Sequence, residues 1–128
     1  MPTIKHMNNF HGYRKNLNSA TVFKDDFSIG YASMPGFPLG TAHPVFFYDI
    51  INDKQTELVL HQTAIMDSSF VDYKKSNPDD FSQSFDNIQS SMILGGELVI
   101  LLHNESFTNK NRWKNWSNFF VTFLKDMR

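Results

Sequence analysis

Apolar residues recur along the chain with two different periods, and the change from one to the other lays out the elements. Phe27-Ser28-Ile29-Gly30-Tyr31 alternates with period two, the mark of a half-buried strand, with Val22 and Phe23 as an upstream extension and Asp25-Asp26 as a kink. Residues 34–44 hold three of the five prolines and two of the six glycines, a density that neither a helix nor a central strand tolerates. This segment reads as a stiff loop with Phe37 and Leu39 near its middle. A strand follows over 45–51, then polar turn residues over 52–55, then a second strand over 56–65. Two strands joined by about four turn residues predict an antiparallel hairpin.

The period then changes. Residues 67–77 are polar, with Phe70 and Tyr73 as anchors of a short helical turn. Asn77-Pro78-Asp79-Asp80 is a helix start: a capping side chain, proline at the first helical position, and acids in the first turn. Phe81, Phe85, Ile88 and Met92 fall on one face of the helix that follows, and Gly95-Gly96 ends it. Residues 97–103 are apolar on both faces, as in a central strand covered on two sides. A loop over 104–109 leads to an amphipathic C-terminal helix of about 17 residues, with Trp113, Trp116, Phe120, Phe123, Leu124 and Met127 on its apolar face.

The order β-β-β-α-β-α predicts an α+β fold: an antiparallel-rich sheet of about four strands with two amphipathic helices packed on one face. The 45–65 hairpin is expected beside a central 97–103 strand. Residues 1–20, broken by asparagines and Gly12, read as an irregular N-terminal arm, and 21–128 as a single α+β domain. The expected core is Phe81, Phe85, Ile88, Ile100, Leu102, Trp116, Phe120 and Phe123.

Composition narrows the class. The 128 residues include 13 Phe and 2 Trp, enough large rings to build a core without staples, and no cysteine, which excludes disulfides and thiolate metal sites. The longest apolar run, Leu98 to Leu102, is far shorter than the roughly 18–20 residues of a membrane span, and no apolar stretch near the start resembles a secretory signal. A soluble cytoplasmic protein with no membrane partner is expected, as a monomer or weak homodimer. Twelve basic against thirteen acidic residues leave a net charge of −1, which speaks against a dedicated nucleic-acid binder.

Candidate chemistry is sparse. The chain has no phosphate-cradling P-loop, no dinucleotide fingerprint, no nucleophile elbow and no His-Glu-x-x-His helix. Of the five histidines, His6 and His11 fall in the arm. His43 in the proline loop, His61 in a strand and His103 at a strand end could converge with Asp49 as an acid–base site, which would make the chain a small hydrolase or transferase. The bland reading is that each borders the sheet. Trp113 and Trp116 fit the buried face of the last helix better than a recognition surface. The strand aromatics Phe46, Phe47 and Tyr48 have acidic neighbours, Asp49 and Asp53, which disfavours stacking on bases. No cofactor and no metal are expected.

Charge layout is the remaining signal. Between Asp49 and Glu97 nine acids face three lysines, a net −6, while the rest of the chain carries nine bases and four acids. Asp79 and Asp86 point away from Phe81 and Phe85 on the middle helix. An acidic surface of Asp53, Asp67, Asp72, Asp79 and Asp86, with Phe37 on the proline loop as a further contact, would attract a basic protein. Size, the lack of enzyme motifs and this acidity point to a protein-binding module that is not an enzyme. One such module is an immunity protein, an intracellular inhibitor that neutralises a basic, nuclease-like toxin domain. A structural or assembly subunit is the further alternative.

Overall fold

One long strand organises the sheet, and every other described strand pairs with it. In the structure, a computed structural model in which residues 23–127 are described, β3 (Lys54–Met66) receives β1 (Asp25–Gly30) in parallel and β2 (Val45–Asp49) antiparallel on its other side. β4 (Val99–Leu101) pairs in parallel with the last residues of β3. Thr63 is partnered by both Gly30 and Val99, so β4 lies opposite β1 and continues the edge occupied by β2. The arm read over 1–20, with His6 and His11, lies outside the described residues.

The α+β class and four strands hold, but the sheet is mixed, not antiparallel-rich: two of its three pairings are parallel. Chain direction explains this. It reverses into β2 and again into β3, so β3 runs with β1. A helical crossover then separates β3 from β4, as parallel neighbours require. β4 is a short, half-buried strand at the edge, not the centre; the central place belongs to β3.

Local chemistry sets the joints. Asp49 closes the β2–β3 turn by accepting from the backbone N–H groups of Ile51 and Asn52 at 3.1 and 3.2 Å and from the Asn52 amide at 2.6 Å. The proline-rich loop is held by Gln62, a buried amide on β3. Its Oε1 accepts from the Leu39 N–H at 2.7 Å, and its Nε2 donates to the Thr41 carbonyl at 2.6 Å. Gly96 has φ +116°, and a Cβ there would meet Ala42 at 2.7 Å, so only glycine lets these two segments touch.

The core has two parts. Ile29, Phe47, Leu58 and Leu60 form one, with Leu39 of the proline loop packed on it. The other gathers around the end of β3, where Ala64 and Ile65 meet Phe70, Phe81, Trp113, Trp116 and Phe120. Phe81 is its hub, with the rings of Phe70, Phe119, Phe120 and Phe123 at 5.1–5.7 Å in tilted or edge-on contact. Of the expected core, Phe81, Trp116 and Phe120 are buried; Phe85, Ile88, Ile100, Leu102 and Phe123 are half-buried against it. Helix α1 (Pro78–Ser91) starts as read, with the Asn77 side chain accepting from the Asp80 N–H. The C-terminal helix α2 (Ser117–Asp126) is shorter than expected, because Asn115 takes φ +75° and breaks the helical path after Trp113. No described helix is long and apolar enough to cross a membrane.

Candidate functional site

The acidic surface does not assemble as one patch. Asp53 sits in the β2–β3 turn at φ +49°, where it accepts the Tyr48 hydroxyl at 2.6 Å and thereby raises the pKa of that phenol. Asp67 lies beyond the other end of β3, separated from it by about 40 Å of strand at about 3.3 Å per residue. Asp67 is also no docking residue, since its carboxylate is fully buried. Asp72 is drawn into an ion pair with Arg112 at 2.7 Å. Asp79 and Asp86 are exposed on α1, with Asp80 beside them, and make no ion pair among the described residues. Phe37 is half-buried and packs against the aromatic core, so its ring is already engaged.

The histidines do not share a centre. His43 Nε2 lies 2.9 Å from the Leu94 carbonyl and ties the proline loop to the segment ahead of β4. Asp49 belongs to the hairpin turn, apart from all three. Among the described residues no three His, Asp or Glu side chains are placed to hold a metal ion. What the fold does build is two separate carboxylate–histidine assemblies.

In the first, Asp67 Oδ1 accepts from His103 Nδ1 at 2.6 Å and from the Ser68 N–H at 2.7 Å, while its Oδ2 accepts from the His103 N–H at 2.7 Å. Both residues stand just past the carboxyl ends of two adjacent parallel strands, where open sheets place their ligand sites. The buried carboxylate faces Nδ1, so in a neutral ring the proton belongs on that nitrogen and the lone pair on Nε2, and the ring is partly exposed.

In the second, His61 is bridged from both nitrogens: Nδ1 to Glu97 at 2.5 Å and Nε2 to Asp25 at 2.8 Å. Phe27 stacks on the ring at 4.2 Å with planes 8° apart. Burial pushes the imidazole pKa down, but the hydrogen bonds to Asp25 and Glu97 and the charges of both carboxylates outweigh it and hold the pKa above its ordinary value.

His61 lies on a sheet face that the acid-based reading missed. Leu58 and Leu60 turn into the core, so Glu57, Val59 and His61 point the other way. Phe46 pairs with Val59 and Tyr48 with Gln55, which puts both aromatics on the same side. Phe27, Phe46 and Tyr48 are each about half exposed. At the hairpin tip Ile50 and Ile51 are 73% and 58% exposed. Period-two alternation signals such a face; which side meets the core is decided by Leu39 and the proline loop, distant in sequence. An open apolar groove of about 500 Å³ between β4 and α2, lined by Leu98, Leu101, Phe107 and Leu124 among others, contains no candidate residue.

Compared with protein-family models, curated proteins and solved structures, the chain has no match, so geometry alone carries the functional reading.

Proposed function

We propose that the chain is a protein-binding module that docks a basic protein on the open face of its sheet. The supporting observation is that face itself: Phe27, Phe46 and Tyr48, extended by Ile50 and Ile51 at the tip, with the exposed carboxylates of Asp25, Asp53 and Glu57 among them. Exposed aromatics grouped on a rigid sheet are characteristic of binding surfaces, and acids at the rim steer a basic partner and speed its encounter. An inhibitor of a basic nuclease-like toxin, an immunity protein, is the form of this reading that joins the surface to the lack of enzyme motifs, because a nuclease needs a cationic cleft for phosphate.

The test is co-purification at low and high salt with the wild type and with Phe46→Ser/Tyr48→Ser, both exposed positions. The expected outcome is a basic protein retained by the wild type, released by salt, lost with the variant, and inhibited in its nuclease activity when the chain is added back. Equal retention by the variant overturns the docking face.

A second reading, a small hydrolase, is favoured by the Asp67–His103 pair, whose open Nε2 has the form of a general base. Its measurement is hydrolysis of an activated ester. Catalysis above free imidazole that is lost in both His103→Gln and Asp67→Asn supports it; a rate equal to that of imidazole discards it.

A further inference from the structure

A ring that donates from both nitrogens must carry two protons, because neutral imidazole has one N–H and one lone pair. His61 faces a carboxylate oxygen at each nitrogen, Glu97 at 2.5 Å and Asp25 at 2.8 Å, so this geometry belongs to the imidazolium. The three residues come from three separate places: the start of β1, the middle of β3 and the residue two ahead of β4. Among the described residues, Asp25 and Glu97 are the charged groups against the ring. From β1 the other contact is the stacked Phe27, and the neighbours of His61 on its own strand face, Val59 and Thr63, carry no charge.

We propose that His61 is a proton-operated clamp: doubly protonated, it ties the start of β1 to the segment ahead of β4, and loss of one proton to solvent releases Asp25 and loosens β1. The bond kept is the one to Glu97, which is shorter and better shielded: the Glu97 side chain is 34% exposed against 56% for Asp25. Glu97 is also anchored by its backbone, whose N–H donates to the Ala42 carbonyl at 2.9 Å. Asp25 lies where β1 joins the sheet; beside it the Val59 N–H donates to the Lys24 carbonyl at 2.8 Å. That amide reports directly on release.

The sign follows from linkage. The folded ring holds its proton more tightly than the unfolded one, so the clamp contributes fully below about pH 6.5 and its contribution is lost as pH rises through the raised folded value. Release also leaves an uncompensated carboxylate on the open sheet face, which would strengthen a basic partner's docking as pH rises. That consequence rests on the docking reading; the clamp and its test do not.

The test follows the His61 ring by NMR, the thermal midpoint, and hydrogen exchange at Val59 from pH 5.5 to 9, in the wild type and in Asp25→Asn. In the wild type His61 should titrate above its ordinary value. From about pH 6.5 up to that midpoint, opening at Val59 should rise by up to about tenfold per pH unit beyond intrinsic base catalysis and the melting temperature should fall, and both should level off above it. In Asp25→Asn, an exposed substitution, the His61 midpoint should drop and Val59 exchange should no longer follow it, which separates His61 from His43 and His103. A His61 that titrates at or below its ordinary value overturns the clamp, as does Val59 protection indifferent to that titration.

Discussion

Polar side chains at single positions decide joints that apolar patterning leaves open. Asn109, Asn111 and Asn115 all take positive φ, between 52° and 75°, and the Asn109 side chain accepts from the Asn115 N–H at 3.2 Å. These asparagines thus have a conformational use, since Asn enters the left-handed region more readily than other side chains. Asn115→Ala should lower stability by about 1–2 kcal/mol, the cost of that conformation for an ordinary residue, whereas Asn115→Gly should be close to neutral. Thermal melts of the two variants check this. Gln62 is the stricter case. Gln62→Leu keeps the volume but strands the Leu39 N–H and the Thr41 carbonyl; a fully buried unpaired group costs about 1–3 kcal/mol, and these half-buried ones cost up to that. A clear drop in melting temperature, with increased proteolysis inside 36–44, is the expected result.

At the level of elements, packing around Phe81 outweighs any single helix. Phe81→Ala should cost roughly 3–5 kcal/mol, because it opens a cavity between four rings that cannot close onto one another. Phe85→Ala should cost distinctly less, since Phe85 is half-buried and, among the described residues, pairs with one ring, Phe123 at 5.1 Å, against four for Phe81. Chemical denaturation of the two variants side by side measures the difference. α1 was legible in the sequence because its signals are local: the Asn77 cap, Pro78, and a helical apolar period starting at Phe81. The hairpin was legible for the same reason. β4 was read beside the hairpin, where it does pair with β3, but at the centre of the sheet instead of its edge, because a continuous apolar run looks alike in both places. The assemblies at His61 and His103 were beyond any local period. His61 meets Asp25 and Glu97 at 36 positions on either side, and His103 meets Asp67 at the same separation. The histidines were visible as candidates, but their partners were set by strand order alone.

Across the whole molecule, the length of β3 makes the functional argument one of position. Net charge along the sequence suggested a single acidic surface, yet Asp53 in the turn and Glu57 lie at the start of β3, while Asp79, Asp80 and Asp86 lie on a helix that follows its other end. A basic partner on the sheet face meets the first pair directly, and charges beyond a Debye length, about 10 Å at 0.1 M salt, act on it only weakly. Asp53→Lys/Glu57→Lys should therefore slow association and flatten its salt dependence. Asp79→Lys/Asp86→Lys should leave both nearly unchanged. Each exposed pair contributes only about 0.2–1 kcal/mol, so the effect belongs mainly to the association rate, with a small change in affinity. All four positions are exposed, so Asp79→Lys/Asp86→Lys should melt within a few degrees of the wild type, whereas Asp53→Lys/Glu57→Lys should melt somewhat lower because it sets a lysine at φ +49° and loses the Tyr48 hydrogen bond. Stopped-flow association with the captured partner at two salt concentrations decides the matter: a rate sensitive to the helix pair and not to the sheet pair would move the docking surface from the sheet to α1.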